Sequence, residues 1–204
     1  MCKNPFIEPC IPTVAKEPPG CGSFVHEVKF DGYRCQIYKD GEAVTLYSRN
    51  GNDFTERYRA IATAALSIPM KSVVLDCELT VCNDTGTPDF SALLRRKHDA
   101  LCIWVFDILA HNGKDLRRLP LWQRREKLDK LMQRIKSPIV RYSELFDDPL
   151  KLLHACSERG MEGVVSKRRD RPYQSGRSRD WIKVKCPNWR DENRWRHEFF
   201  DRRK

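Results

Sequence analysis

The chain has 204 residues, of which 40% are hydrophobic and 32% charged. This length allows one large domain or two small ones, and the apolar fraction excludes a globally disordered protein. The formal net charge is +10 at neutral pH, which favours a polyanionic partner, most simply nucleic acid, over a role in solubility alone. The basic residues cluster late in the chain: Lys167, Arg168, Arg169, Arg171, Arg177, Arg179, Lys183 and Lys185.

Nine cysteines are spread along the sequence, and no Cys-x-x-Cys pair occurs. The odd number, and the position of several cysteines inside apolar strand patterns, indicate reduced thiols and argue against a zinc site. The sequence contains no signal-peptide pattern and no apolar run long enough to cross a membrane. We therefore expect a cytoplasmic protein without a membrane segment.

The first half of the chain predicts mainly strands. Residues 1–22, rich in Pro, Gly and Cys, predict an irregular arm. Three strands then follow, and the dipeptide Asp31-Gly32 predicts a β-hairpin turn between the first two. These strands cover residues 24–30, 33–39 and 43–48. Helical spacing over 55–67 and 89–96, and strand patterns over 73–81 and 101–109, complete this half.

The second half predicts helices followed by late strands. Residues 120–135 and 149–158 have helical patterns that each begin near a proline. Strands are predicted over 163–168 and 181–186, with a mobile loop over 170–179 between them. Residues 188–201 predict a basic terminal helix. The whole pattern is α+β, with one domain over 23–190 between the arm 1–22 and a basic, helical tail 191–204.

Charged side chains share one face on three of these strands. Alternation places Glu27 with Lys29, Asp76 with Glu78, and Lys183 with Lys185, each opposite an apolar face. A single strand of this kind is an ordinary amphipathic strand with solvated charges. Three such strands, together with Glu162 just before a fourth, predict a charged groove between sheets.

Six short segments match the motifs of a known family in their order and spacing. They are Lys29-Phe30-Asp31-Gly32-Tyr33-Arg34 preceded by Glu27, Ser48-Arg49-Asn50-Gly51, Asp76-Cys77-Glu78-Leu79, Val105-Phe106-Asp107, Glu162-Gly163-Val164-Val165-Ser166-Lys167 and Trp181-Ile182-Lys183-Val184-Lys185. From about residue 24 to 190 the chain resembles the adenylation domain of ATP-dependent DNA ligases, most closely the bacterial end-joining type. The resemblance implies an ATP-grasp-like nucleotidyltransferase fold, with antiparallel sheets flanked by helices and a nucleotide groove between them.

The family's chemistry implies a covalent intermediate on Lys29. The lysine would attack the α-phosphate of ATP, form lysyl-AMP and expel pyrophosphate. The AMP would then pass to the 5′-phosphate of nicked duplex DNA, where the 3′-hydroxyl displaces it. Covalent capture divides one difficult condensation into smaller steps.

The resemblance also assigns roles to the residues that bind the nucleotide. Glu27 would contact the adenine edge and Phe106 would stack on the ring, although periodicity alone places Phe106 in the core. Arg34 and Glu78 would hold the ribose, the phosphate or the nick end. Arg49 would contact a phosphate of the DNA or of AMP.

The phosphate end of the groove would combine cations with a metal. Lys183 and Lys185 would act in catalysis by contacting the α-phosphate and assisting the departure of pyrophosphate. Glu162 and Glu78 would bind Mg²⁺, and water and phosphate oxygens would supply most of its other ligands. Asp31 would shape its turn, and Asp76 could either support the metal or be structural.

The protonation of Lys29 is an obstacle to this chemistry. A lysine with an ordinary pKa of about 10.4 reaches its neutral form at pH 7 at a cost on the order of 4–5 kcal/mol. We expect the cations of Arg34, Lys183 and Lys185 to lower this cost, because nearby positive charge disfavours the ammonium form.

The sequence departs from the family pattern at its end. Only nineteen residues follow Lys185, too few for the oligonucleotide-fold (OB-fold) domain of typical ligases. We expect a natural minimal protein, in preference to an excised domain, which acts as a monomer on nicked or broken duplex DNA. A repair partner could supply the missing function. The alternatives are an RNA ligase, a capping-type nucleotidyltransferase, or a non-catalytic nucleic-acid-binding module of the same fold.

Overall fold

The computed structural model describes residues 6–20, 22–95, 100–187, 189 and 193. Within them the strands are β1 (Cys10–Val14), β2 (Phe24–Lys29), β3 (Tyr33–Asp40), β4 (Ala43–Ser48), β5 (Ser72–Val81), β6 (Leu101–His111), β7 (Lys114–Asp115), β8 (Val140–Tyr142), β9 (Gly163–Arg168) and β10 (Gly176–Lys185). The helices are α1 (Arg59–Leu66), α2 (Phe90–Leu94), α3 (Leu121–Met132) and α4 (Pro149–Glu158). No helix in these ranges is both long and apolar enough to cross a membrane.

The strands form two sheets. The smaller sheet has the order β1-β10-β9-β2, with β1 parallel to β10 and the other neighbours antiparallel. The larger sheet has the order β4-β3-β5-β6-β7, and β8 pairs in parallel with β6. The predicted α+β class is therefore confirmed, with mostly antiparallel sheets and helices packed against them.

The core follows the alternation that the sequence predicts for β5. Val73, Leu75, Cys77, Leu79 and Val81 are all buried in the main apolar cluster. Because successive side chains of a strand point to opposite faces, the charged residues between them point away from this cluster. Helix α4 also begins as predicted, since the Asp148 side chain accepts hydrogen bonds from the first-turn backbone and Pro149 follows it.

The predicted β-hairpin at Asp31-Gly32 is wrong. Strand β2 pairs with β9, whereas β3 pairs with β4 and β5, so the turn carries the chain from one sheet to the other. A β-carbon on Gly32 would lie 2.0 Å from the carbonyl oxygen of Leu79. The glycine therefore allows the crossing chain to lie against the backbone of β5.

Two other predictions need correction, and one lies outside the described residues. The arm 1–22 is not irregular throughout, because Cys10–Val14 forms β1 along β10. The loop predicted over 170–179 contains the start of β10 at Gly176 and the buried side chain of Tyr173. Apart from residue 193, the predicted tail helix over 191–204 falls outside the described residues.

Candidate active site

A groove of about 750 Å³ opens between the two sheets. Most residues that the sequence singled out line it: Glu27, Lys29, Arg34, Arg49, Glu78, Phe106, Glu162 and Lys183. Lys185 does not line the groove, but its Nζ lies 2.9 Å from Glu162 Oε1. The structure thus brings together residues that are spread over more than 150 positions of the sequence.

The register of the smaller sheet places the two lysines around one carboxylate. Lys29 on β2 and Lys185 on β10 are both register partners of Gly163 on β9. Glu162 immediately precedes Gly163, so it reaches both. Lys29 Nζ donates a hydrogen bond to Glu162 Oε2 at 2.5 Å, while Lys185 contacts the other oxygen.

These contacts determine the charge state of the lysines. Burial acts to lower the pKa of Lys29, but the carboxylates of Glu162 and Glu78 outweigh it and raise the pKa. The expectation that neighbouring cations ease the deprotonation of Lys29 is therefore wrong, because the nearby carboxylates outweigh them. Lys183 behaves differently, because burial and the charges of Lys29 and Lys185 lower its pKa.

The two acidic residues proposed for the metal differ in their surroundings. Burial would raise the pKa of Glu162, but Lys29 and Lys185 hold it below the usual value. Burial raises the pKa of Glu78 to about 7, against the opposing charges of Lys29 and Arg34. The Glu78 carboxylate forms no hydrogen bond or ion pair with another described residue. It is thus available to a ligand in the groove.

Arg34 is held by a carboxylate and an aromatic ring. Its guanidinium donates to both oxygens of Asp76 at 2.6 Å and lies 4.5 Å from the centroid of Phe106. The Tyr173 hydroxyl donates to Asp76 Oδ2 at 2.6 Å and accepts from the Cys10 amide at 2.9 Å. Because Asp76 is fully buried and engaged on both oxygens, its surroundings favour the structural alternative over metal support.

A second buried ion group in the groove wall is centred on Glu27. Lys167 Nζ lies 2.7 Å from Glu27 Oε1, and Ser143 Oγ donates to Oε2 at 2.9 Å. Arg125 lies 3.6 Å from Oε1 and donates to the carbonyl oxygens of Phe106 and Ser143. Glu27 thus presents a fixed carboxylate to the groove.

Three of these residues were missed by sequence reasoning: Tyr173, Arg125 and Ser143. The sequence signal that could have identified Arg125 is the pair of adjacent arginines, Arg124 and Arg125, within an amphipathic helix. Both prove to be buried in the structure. Arg124 forms a 2.8 Å ion pair with Asp107, the residue that directly follows Phe106 in the sequence. No sequence pattern marks Ser143 or Tyr173.

Phe106 lies in the core, as its periodicity predicts, and also lines the groove. Its ring is 7% exposed and belongs to a small apolar cluster with Trp181 and Tyr173, yet it also lines the groove. Lys167 Nζ lies 4.4 Å from the ring centroid. Because Phe106 lines the groove, it can contact a bound ligand.

The donor set of the groove fits Mg²⁺ bound together with a triphosphate. No group of three or more metal-ligating side chains occurs in the described part of the chain. Mg²⁺ bound with phosphates typically uses only one or two protein carboxylates, with water and phosphate oxygens completing the shell. Glu78 and Glu162 both line the groove and can supply them.

Comparisons with known proteins agree with this geometry. Residues 13–185 match the family model for the ATP dependent DNA ligase domain. The multifunctional non-homologous end joining protein LigD of Pseudomonas aeruginosa is 36% identical over 186 residues, which are 89% of this chain and 22% of that protein. A prophage-derived DNA ligase-like protein of Bacillus subtilis is 31% identical over 88% of this chain and 67% of its own length.

A solved structure extends the match to three dimensions. Mycobacterial DNA ligase D complexed with ATP has a TM-score of 0.80 and 32% identity, over 88% of this chain and 60% of that one. The two sheets around a groove have the fold of this solved ligase structure, which places the chain among the nucleotidyltransferases. The chain belongs to the ATP-dependent DNA ligase domain family. It spans about a fifth to a third of the length of the LigD and ligase relatives from Pseudomonas and Dictyoglomus.

Proposed function

We propose that the protein is an ATP-dependent DNA ligase in which Lys29 carries AMP before its transfer to a 5′-phosphate at a nick. The observation that carries the proposal is the position of Lys29. It lies at the end of β2, on the groove between the sheets, with its Nζ hydrogen-bonded to Glu162 and a second lysine on the same carboxylate. The Lys29 amine would attack the α-phosphorus of ATP, and the bond to the pyrophosphate oxygen would break.

Glu162 keeps Lys29 aligned and charged until the substrate binds. The raised pKa keeps the proton on Lys29. The amine must release this proton to attack, and the carboxylate hydrogen-bonded to it is the nearest acceptor. Lys183 would offset charge on the phosphates. Mg²⁺ held by Glu78 and Glu162, when bound, supplies further neutralisation of phosphate charge.

The base end of the groove would select adenine. Glu27 offers a carboxylate fixed by Lys167 and Ser143, which suits an amino-group donor on the base edge. Phe106 would stack on the ring, and Arg34 would face the ribose or phosphate. Arg49, which lies at the exposed rim of the groove, would contact DNA or AMP phosphate.

The nucleic-acid partner in this proposal is nicked or broken duplex DNA. The net charge of +10 supports a polyanionic partner, and the matched relatives are named as DNA ligases or end-joining proteins. The proposal also includes three further points. The protein would act as a monomer, a repair partner would assist it, and it would be located in the cytoplasm. The seven described cysteines are all free thiols, which supports a reducing compartment.

The direct test is sealing of a nicked duplex with ATP and Mg²⁺ by wild type, Lys29→Arg and Lys130→Arg. Arginine keeps the positive charge opposite Glu162 but is not a nucleophile at neutral pH. We expect Lys29→Arg to lose all sealing while retaining salt-dependent binding of the nicked duplex. Lys130, exposed on α3 and paired with Glu126, is the matched control and should seal as wild type does.

The same assay separates the alternatives. Sealing of nicked RNA in preference to DNA would favour an RNA ligase, and a requirement for GTP would favour a capping-type enzyme. DNA binding without sealing, even when the nick is supplied already adenylated, would favour the non-catalytic module. Sealing by Lys29→Arg at the wild-type rate would overturn the proposed mechanism.

A further inference from the structure

Two thiols meet at the ends of β5 and β6, outside the groove. The sulfur atoms of Cys82 and Cys102 lie 3.2 Å apart, and theirs is the only hydrogen bond between two of the seven described cysteines. Thr80 Oγ1 lies 3.6 Å from one sulfur and 3.1 Å from the other. A disulfide bond is about 2.05 Å long, so the two sulfurs have to approach each other by roughly 1 Å to be joined.

This thiol pair is connected to the turn that follows Lys29. Trp104 Nε1 donates a hydrogen bond to Thr80 Oγ1 at 3.1 Å. The Trp104 ring stacks on Phe30, with centroids 4.1 Å apart and planes 11° from parallel. Phe30 is the residue after Lys29 in the groove wall.

A second contact connects Thr80 to the same turn. A β-carbon on Gly32 would lie 2.9 Å from Thr80 Cγ2, so the turn rests directly on this side chain. The segment 30–32 is therefore supported by two residues, Trp104 and Thr80. Both belong to the hydrogen-bonded group that contains the two thiols.

We propose that Cys82 and Cys102 form an oxidisable dithiol, a modification site whose conversion to a disulfide by a peroxide slows adenylation of Lys29. The effect on adenylation rests on the proposed ligase function, whereas formation of the disulfide does not. Disulfides in cytosolic proteins are mostly transient and redox-sensing, which suits a buried pair that is reduced in the resting protein.

The geometry assigns the two sulfurs different parts in the reaction. Cys82 is 6% exposed and Cys102 is 1% exposed, so a small oxidant reaches Cys82 first. The hydrogen bond shared with Cys102 lowers the pKa of Cys82, which favours its thiolate. The thiolate attacks one peroxide oxygen, and with one proton gives a sulfenic acid and water. The Cys102 sulfur then displaces the sulfenic hydroxyl, and with the thiol proton a second water leaves.

Oxidation would disturb the support of the turn in two ways. The cross-link removes the hydrogen bond between the two sulfurs and changes what the Thr80 hydroxyl can bond, and the contraction between the sulfurs pulls on the ends of β5 and β6. Misplacement of a reacting group by about 1 Å can cost up to roughly 100-fold in rate. We expect oxidation to slow AMP loading about tenfold.

The test compares reduced and peroxide-treated full-length protein. Intact mass and peptide mapping would locate the cross-link, and AMP incorporation from ATP and Mg²⁺ would give the rate before oxidation, after it, and after dithiothreitol. Hydrogen exchange of the peptide containing residues 30–32 reports on the turn independently of activity. The variants are Cys82→Ser, whose hydroxyl can still bond Thr80, and the matched control Cys156→Ser, a buried thiol in a separate apolar cluster.

We expect a Cys82–Cys102 cross-link, faster exchange at the turn, slower loading and recovery with dithiothreitol. Cys82→Ser should resist peroxide, and Cys156→Ser should respond as wild type does. Absence of this cross-link, unchanged exchange and loading in the cross-linked protein, or equal slowing in Cys82→Ser would overturn the proposal. If the reduced protein takes up no AMP, the proposed ligase function fails, while the cross-link and the exchange data still decide whether the thiols control the turn.

Discussion

Lys29 and Glu162 form an arrangement in which one carboxylate is shared by two lysines from different strands. The second lysine, Lys185, stabilises the ionised form of Glu162, and Glu162 in turn keeps Lys29 protonated. In the proposed mechanism an incoming triphosphate would compete with Glu162 for Lys29, which lines the groove. Substrate binding and release of the nucleophile from its ion pair are therefore coupled in the proposed mechanism.

Glu78 provides a pH-dependent prediction at the scale of one residue. Its folded-state pKa of about 7 lies above the ordinary value of 4.5 because of burial. The folded state favours the neutral form of Glu78. The contribution of this group to the free energy of unfolding is therefore fully present below pH 4.5 and is lost as the pH rises through 7. Because Glu78 is only partly buried, we expect Glu78→Gln to be about 2 kcal/mol more stable than wild type at pH 8, and equal to it near pH 4.5.

Urea unfolding at the two pH values, in buffer containing EDTA, measures this difference. The exposed Glu144→Gln serves as the control and should leave the stability difference between the two pH values unchanged. A Glu78→Gln protein with the pH dependence of wild type would show that Glu78 ionises in the folded state as it does in solution.

At the scale of elements, local patterns predicted what the strands are but not which strands pair. The alternation of β5 and the capped start of α4 were readable because periodicity and capping act within a few residues. The partner of β2 is β9, more than 130 positions later, and the parallel pairing of β1 with β10 spans a similar distance. Asp31-Gly32 has the local chemistry of a hairpin, yet the tertiary pairing determines that it crosses between sheets.

Gly32 tests this crossing directly. In Gly32→Ala the added carbon would lie 2.0 Å from the Leu79 carbonyl oxygen. Because this oxygen belongs to the backbone of β5, either that backbone or the turn has to move. We expect a loss of about 2–3 kcal/mol in the free energy of unfolding, together with loss of AMP loading, because the turn carries Lys29. Gly20→Ala is the control, since nothing lies within 4 Å of its added carbon. Equal stability of the two variants in urea unfolding would argue against the close approach of the turn to β5.

At the scale of the whole molecule, the site exists only because two sheets face each other. Lys29, Glu162 and Lys183 come from the smaller sheet or the loop before β9, and Arg34, Glu78 and Phe106 come from the larger. The resemblance to the family's motifs named most groove residues in advance, and strand alternation separately placed Glu27, Lys29, Glu78 and Lys183 on charged faces. Arg125, Ser143 and Tyr173 were not found, because their roles depend on contacts across the fold and not on spacing.

Substitution of Tyr173 tests how much its hydroxyl contributes to stability by connecting the two sheets. Its hydroxyl connects Asp76 on the larger sheet to the Cys10 amide on the smaller one. Tyr173→Phe leaves both partners buried without this bond, which we expect to cost about 1–3 kcal/mol of stability in urea unfolding. The Tyr47 hydroxyl makes no hydrogen bond to the described residues, so Tyr47→Phe should lose far less stability. Equal losses would mean that the Tyr173 hydroxyl does not connect the sheets.

The most direct test of the central claim is to locate the AMP. The full-length protein is incubated with ATP and Mg²⁺, digested, and its adenylated peptide sequenced by tandem mass spectrometry. The account predicts one AMP per chain, attached to Lys29 Nζ, removable by pyrophosphate and absent from Lys29→Arg. An AMP attached to Lys183, Lys185 or any other residue, or the same adduct in Lys29→Arg, would contradict it.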